Sequence, residues 1–491
     1  MKPFILLALG VACTALDATA QNEVDALRYS QITFGGTARY NAMGGAFGAL
    51  GADFSTLSSN PAGIGLYRKS ELSFTPSIYN GSTSSTYNGM TESGSKSNLN
   101  IGNGGIVLTN NKHKSPEEGG WQTVSFGFGY NRLADFDNSS SVQGYNYTSS
   151  LTNVFVHNAA GANPGDLINY TAGPGVDLNT CNAYNAFLID NPGGGTNYVS
   201  YLPTGGVLQQ RSAQTNGGMG ETVLTLGGNY DNKLYLGMTV GFDYIDYSSQ
   251  SSYYETALRD SAGGIHAFQM NQNLHTTGSG TNVKFGLIYR VNDWIRVGAA
   301  LHSPTYFSMH DQYSSSINLT FRDTARSAGS SSNYDYHITT PARAIGSLAF
   351  IIAKKGLIGI DYEYVDYTTA SLSSSDPGVF TAANAAIQNK YTATGNIRIG
   401  AEYRVVDGIS LRAGYAYYGN PYQSSANIDA SRQSYSCGIG FREKNHFLDL
   451  AYVYTMYNVN SYLYDPTIAA VNPISNALSN YSLMMTFGVK F

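Results

Sequence analysis

The chain is 491 residues long and only 12% charged, about half the share of roughly 25% usual in globular proteins, with 55 glycines, 13% aromatics and a net charge of -5. So few charges exclude a coiled coil or a charge-rich disordered tail, and the lack of a basic excess excludes nucleic acid as a partner. The polarity must come from Ser, Thr, Asn, Gln and Tyr instead.

Residues 1–20 form a separate unit. Lys2 gives a short positive start, Phe4 to Leu16 a mostly apolar run, and Ala18-Thr19-Ala20 a small-residue cleavage site before Gln21, the pattern of a signal peptide removed on export. Cys13 has Gly10 three places before it, which argues against a lipoprotein signal. Export leaves Cys181 and Cys437, too few for a disulfide framework, although one bridge between them stays open. No later stretch reaches the 18 or so apolar residues of a membrane helix; the best, Ala344 to Ala353, stops at Lys354-Lys355-Gly356. An exported chain of this composition is a secreted all-β protein or a membrane barrel.

Residues 21–69 are rich in Gly and Ala, with short turns and no sustained alternation. Such a segment suits a compact hatch, or plug, inside a pore, in preference to a periplasmic tail. From residue 70 onward period two takes over. Leu234, Leu236, Met238, Val240, Phe242 and Tyr244 alternate with Tyr235, Gly237, Thr239, Gly241 and Asp243, and similar patterns run through 283–291, 397–405, 409–417 and 481–491. The second face is heavy in Gly with scattered Arg, Asp and Glu, and the segments run roughly 11 to 15 residues against five or six in soluble sheets.

Short connections at 231–233, 292–293, 354–356, 406–408 and 444–445 alternate with long Ser/Asn/Gly-rich ones near 81–97, 133–219, 248–265, 371–389 and 459–478. Short turns on one side and long loops on the other are the outer-membrane pattern. The expected fold is all-β: a 14-stranded antiparallel transmembrane β-barrel over 70–491, with the N-terminal hatch in its lumen and room for an irregularity in each of the two longest segments. Phe491, on the apolar phase of its strand, resembles the C-terminal signature that such barrels present to the barrel assembly machinery.

Several constellations carry chemical readings. The third strand, from Trp121, holds Gly127 and Gly129 on its inward phase; they mark a kink or, equally, clearance for the hatch. Inward-phase Arg296, Arg398, Arg404 and Arg412, with Asp361, Glu363 and Glu402, either hold a ligand carboxylate or, in preference, anchor the hatch by charge-assisted hydrogen bonds. Asn153-Val154-Phe155-Val156 and Ala186-Phe187-Leu188-Ile189 offer apolar groups to a ligand or, in preference, to the longest loop's own core. Gly45, Gly48 and Gly51 lack the βαβ surroundings of a phosphate loop. His302 and His310 are too far apart on one expected strand to suit a metal or haem, and no GxSxG elbow occurs. No cofactor, metal or catalytic residue is expected, and the chain does not read as an enzyme.

The element Asn60-Pro61-Ala62-Gly63, preceded by Gly44-Gly45-Ala46-Phe47-Gly48 and followed at once by the first strand, resembles the N-terminal region of the FadL/TodX outer-membrane transporters of long-chain fatty acids and other hydrophobic compounds. The resemblance is close over about residues 35 to 75 and loose over the rest. It implies fourteen strands around a hatch, an Asn-Pro-Ala element packed near a kink in the third strand, and a ligand that leaves sideways through the opening this makes. The chemistry of the element agrees, since Asn60 closes an Asx-type turn and Pro61 fixes φ, together making a rigid wedge. The partners implied are a fatty-acid-like hydrophobic small molecule, outer-membrane lipid and the assembly machinery, for a monomer in the outer membrane of a Gram-negative cell. One departure is that the longest loop follows the third strand, whereas the docking groove of the best-known fatty-acid transporters is built further along the chain. Some FadL-like barrels instead serve secretion machinery as protein-binding subunits, which is the alternative reading; a general porin ranks third.

Overall fold

A computed structural model of the chain describes residues 22–491 except 34, 112–118, 172–175, 203–204, 260–264, 322–324, 354 and 427. The expected signal peptide lies outside the described residues.

The chain opens with α1 (Glu23–Ser30) and α2 (Ala38–Ala42) and then enters the strands β1 (Glu71–Tyr87), β2 (Met90–Asn111), β3 (Trp121–Asp135) and β4 (Asn138–Asn146). An external domain follows, with α3 (Leu151–Ala159), α4 (Pro164–Ile168), α5 (Leu178–Asn185), β5 (Ile189–Asp190) and β6 (Val199–Ser200). Long strands resume with β7 (Val207–Tyr230), β8 (Leu234–Ala257), β9 (Ile265–Arg290), β10 (Ile295–His302), β11 (Tyr306–Phe321), β12 (Ala325–Thr339), β13 (Arg343–Ile352) and β14 (Gly356–Asp366). The remainder is β15 (Ser371–Ser373), α6 (Thr381–Lys390), β16 (Ala393–Val406), β17 (Ile409–Tyr418), β18 (Arg432–Glu443), β19 (His446–Ser461) and β20 (Ile474–Lys490).

All strands but β5 and β6 belong to one sheet, which closes where β1 pairs with β20. Because β4, β11 and β13 continue the strands next to them in the chain and the short β15 only flanks β12, the wall has fourteen antiparallel staves. Pro304 and Pro341 lie side by side at two of these breaks, since neither can donate to a ladder. Thr305 and Thr340 repair the gap by exchanging hydrogen bonds of 3.0 and 2.9 Å.

The two faces of the alternation separate as expected. Phe242, Tyr244, Phe285 and Tyr403 point outward and are exposed, whereas Tyr235, Thr239 and Asp243 are buried inside. An exposed apolar face of this extent suits hydrocarbon rather than water.

The long-loop end differs from expectation. Most of 81–97 is strand, joined by the turn Asn88-Gly89, where both residues have positive φ (47° and 83°) as a two-residue hairpin turn requires. Strand likewise occupies both ends of 133–219, leaving 147–206 as the loop proper. Above the lipid no apolar face is demanded, so alternation fades while the hydrogen-bonded ladder continues. Both apolar runs of that loop enter its own core, where Val154, Phe155, Leu188 and Ile189 pack with Phe268 and Ile317. Glu255, at the external end of β8, receives hydrogen bonds from the Leu151 amide (3.0 Å) and the Gln209 side chain (2.7 Å). Burial there pushes its carboxyl above the usual range. Cys181 and Cys437 are both free, so the bridge left open by the sequence is not formed.

Candidate functional site

Residues 37–66 fill the lumen at the short-turn end. Thr37 caps α2, Asp53 caps a 3-10 turn over Phe54–Ser58, and Asn60 caps a second over Pro61–Leu66 by accepting from the Ala62 amide at 3.1 Å. Asn60 also donates to the carbonyls of Gly48 (2.6 Å) and Leu287 (3.3 Å). The wall offers glycine where the hatch backbone comes closest. A Cβ on Gly237 would strike the Pro61 carbonyl, one on Gly359 that of Ala46, and one on Gly400 that of Met43. Side chains complete the floor. Arg296 donates to the Leu50 carbonyl (3.1 Å), the Gly48 amide to Asp361 (3.0 Å), and Arg39 to Glu402 (2.9 Å). Glu402 also pairs with Arg412 (2.7 Å), which pairs with Asp449 (2.7 Å). Arg398 and Arg343 share Glu363 at 2.6 and 2.7 Å, and Arg343 reaches the Ser30 carbonyl.

The wedge and the kink are not where they were expected. Asn60 and Pro61 sit against Gly286 and Gly237 of β9 and β8; it is Ile64, just after the element, that reaches β3 at Gly127. Gly127 lies opposite Val107 and Thr225, and Gly129 opposite Gly105 and Val223, in unbroken ladders. Their inward faces abut Leu57, Ile64 and Phe54. The irregularities flank them, between Trp121 and Thr123 and between Arg132 and Ala134.

There the wall is lapped rather than bonded. The ladder between β2 and β3 ends at Asn103 opposite Asn131, and among the described residues the upper half of β2, from Met90 to Gly102, has β1 on one edge and no ladder partner on the other. After Phe136 and Asp137 the chain passes to the inner side of β1 and β2 as β4, with the Asp137 carbonyl against Gly81 and that of Ser139 against Gly94, while its outer neighbour is β7. Among the described residues, side chains alone bridge the overlap. Asn100 donates to Asp135 (3.2 Å), Asn98 to Asp137 and Lys96 to Asn216. Leu99 and Ile101, on the opposite face of β2, are exposed at the level of this joint.

A cavity of about 710 Å³ lies between the joint and α1, within the 300–1,000 Å³ range of small-molecule sites. Its lining includes Leu27, Leu133, Phe136, Tyr247, Leu478 and Met484. A lid formed by α6 and the loop after β17 borders it, tied together where Gln423 donates its amide to the Lys390 carbonyl (2.8 Å). The α1 limb reaches both. Glu23 pairs with Lys390 (2.7 Å) and accepts at its carbonyl from the Tyr391 hydroxyl (2.9 Å). At the other end Tyr29 packs edge-on against Phe136, with centroids 6.0 Å apart, and Thr33 donates its amide to the Leu133 carbonyl (3.1 Å).

The sequence profile of a family described as outer membrane protein transport protein (OMPP1/FadL/TodX) matches residues 222–477, just over half of the chain. The chain belongs to the OMPP1/FadL/TodX family. No curated protein matches it by sequence. Its fold is similar to that of the P. putida toluene transporter TodX, at 13% identity and a TM-score of 0.53 over 93% of this chain and 99% of that one. A Pseudomonas aeruginosa FadL homologue matches at 12% identity and 0.53 over 94% and 99%, and the CymD monoaromatic hydrocarbon channel at 12% and 0.50 over 94% and 99%. As a member of this family the chain is an outer-membrane transport barrel and not an enzyme.

In this FadL/TodX barrel Arg296, Asp361 and Glu402 meet the hatch directly, whereas Arg398, Arg412 and Glu363 pair with other groups of the wall. Arg404 is exposed near a short turn, outside the network. His302 bonds to the Ser59 carbonyl (2.7 Å) and His310 pairs with Asp335 (2.7 Å) on separate strands, and no ligating cluster for a metal occurs among the described residues. Phe491 is exposed just past β20, its amide on the Ser70 carbonyl at 3.0 Å. Sequence reasoning missed Arg39, Arg343 and Asp449; a lone Arg within a Gly/Ala-rich hatch was the available signal for the first.

Proposed function

We propose that this barrel takes up hydrophobic compounds, long-chain fatty acids among them, passively. Ligand is captured at the external loops, enters the cavity as the hatch limb α1 moves, and leaves sideways through the lapped joint into the lipid. The observation that carries this reading is the cavity's position, since it is lined both by α1 and by Asn100, Asp135, Phe136 and Asp137 of the joint. Separating an overlap held by side chains breaks no backbone ladder, whereas opening a paired wall would. A sideways exit also spares a greasy ligand the transfer to water, worth about 0.8 kcal/mol per CH₂. Phe491, exposed just past β20, fits a role as the assembly signal.

A disulfide across the joint tests the route. N98C with D137C, oxidised, is expected to reduce uptake of a labelled fatty acid by intact cells to the level of a deletion strain, with recovery on reduction; unchanged uptake would exclude this exit. The secretion-subunit reading draws on the external domain, whose own core makes it a ready protein-binding module. A deletion strain with normal uptake and an altered secretome would favour it.

A further inference from the structure

Three side chains outside the site described above meet on the inner wall of β7, β8 and β9. Glu221 stands opposite Asp243 in the ladder between β7 and β8, and Asn282 stands opposite Gly241 in the ladder between β8 and β9. All three are more than nine-tenths buried. The Asn282 amide donates to Asp243 (2.8 Å) and to Glu221 (3.1 Å), so a single nitrogen gathers both carboxylates. Like charges directly opposite on a sheet repel. Lys284 pairs with Glu221, whereas Asp243 receives only a hydroxyl, that of Thr305 (3.0 Å), and has no ion pair among the described residues. Two carboxylates against one ammonium leave one negative charge in excess. Three oxygens of the group are also shielded from water and unpartnered: Oε2 of Glu221, Oδ1 of Asp243 and Oδ1 of Asn282. Gly241 keeps the wall beside them open, since a Cβ there would lie 2.7 Å from Asn282 Oδ1 and closer still to Glu221.

A buried carboxylate without a counter-charge is costly, and a buried oxygen without a partner calls for a bound ion or water. We infer that Glu221, Asp243 and Asn282 bind one alkali cation between their unpartnered oxygens. Carboxylate and amide oxygens are hard donors, and the group lacks the His and Cys ligands that favour a transition metal. The excess of one negative charge matches a monovalent ion. A divalent one would leave the site positive beside Lys284. Such an ion ties β7, β8 and β9 together close to the hatch, because Thr239, the preceding inward residue on β8, donates to the Leu57 carbonyl (2.9 Å). Its role is to hold the wall at the seat of the floor, whatever compound the barrel carries.

Thermal unfolding of the full barrel in detergent, compared in sodium chloride and in choline chloride at one ionic strength, tests the site. The wild type should melt about 3 °C higher in sodium, with a dependence that saturates as the site fills. D243N should lose that difference, because it removes the excess charge and keeps the shape. D335N, which neutralises an exposed carboxylate on β12, should retain it. Thallium, a monovalent ion with strong anomalous scattering, soaked into wild-type crystals should appear between the three oxygens, a reading independent of how any variant folds. Equal melting of the wild type in the two salts, a sodium effect that survives in D243N, or a site without thallium each overturns the inference. Melting in choline that rises on acidification with no response to sodium also overturns it, and assigns the missing charge to a proton on Asp243.

Discussion

The two parts of the hatch are held by different physics. The floor, residues 37–66, is wedged between glycines and tied by buried charges to β10, β14 and β16. The limb, α1, buries Ala26, Leu27 and Tyr29 in an apolar cluster with Tyr247, Phe307 and Tyr336, takes a hydrogen bond from Arg343 at the Ser30 carbonyl, and reaches the lid through the Glu23–Lys390 pair and the Tyr391 hydroxyl. A floor seated backbone against backbone and a limb held mainly by side-chain packing imply that movement begins at the limb. The low-stability elements of a protein are those available for gating.

The comparison breaks most visibly if the floor is unseated. Glu402 joins Arg39 of the hatch to Arg412 of the wall, and both arginines lose a partner in E402A. Arg412 keeps Asp449, so the loss falls on Arg39, which is left without a carboxylate in a largely buried site at a cost approaching about 3 kcal/mol. The expected outcome is a leaky barrel, read as a rise in single-channel conductance in planar bilayers; a silent variant would mean that the glycine seat suffices alone. G400L attacks that seat, because its side chain must displace the Met43 carbonyl and not a flexible tip. Overpacking of about 1–3 kcal/mol predicts a smaller rise in the same measurement.

The limb should respond more gently. K390M removes one partly buried ion pair, worth about 1 kcal/mol, so amide exchange within α1 should quicken about fivefold while that of residues 54–66 stays unchanged. Equal acceleration in both would show that limb and floor move as one body, and the distinction drawn above would fail.

The wall was legible in the sequence because lipid and lumen impose opposite polarity on alternate residues. The inward charges stood out for the same reason, as Arg296, Asp361 and Glu402 are isolated in a chain with little charge. The external strand ends were not, since beyond the lipid neither face is constrained, although Asn88-Gly89 was a hairpin signal in plain view. Nothing local announces that β4 tucks behind β2. Its Ser/Asn composition suits a loop, and its position depends on Gly81 and Gly94, which are distant in sequence. The seat of Asn60 was misplaced for a related reason, because the wedge chemistry is local but the glycines that receive it, Gly237 and Gly286, gain meaning only once the sheet closes.

The smallest expected effect concerns Gly127 and decides what that glycine is for. A Cβ there would meet the side-chain tips of Leu57 at 2.6 Å and Ile64 at 3.1 Å, which can shift, whereas one on Gly129 would meet the Gly104 carbonyl and the Gly105 backbone, which cannot. If both glycines serve as clearance, G127A should lower thermal stability by no more than about 1 kcal/mol and leave uptake intact, with G129A clearly worse, because only the second displaces backbone. If Gly127 were instead a hinge for lateral release, G127A would depress uptake at unchanged stability. Measuring melting and uptake together separates the two, and the unbroken pairing of Gly127 with Val107 and Thr225 places the expectation on clearance.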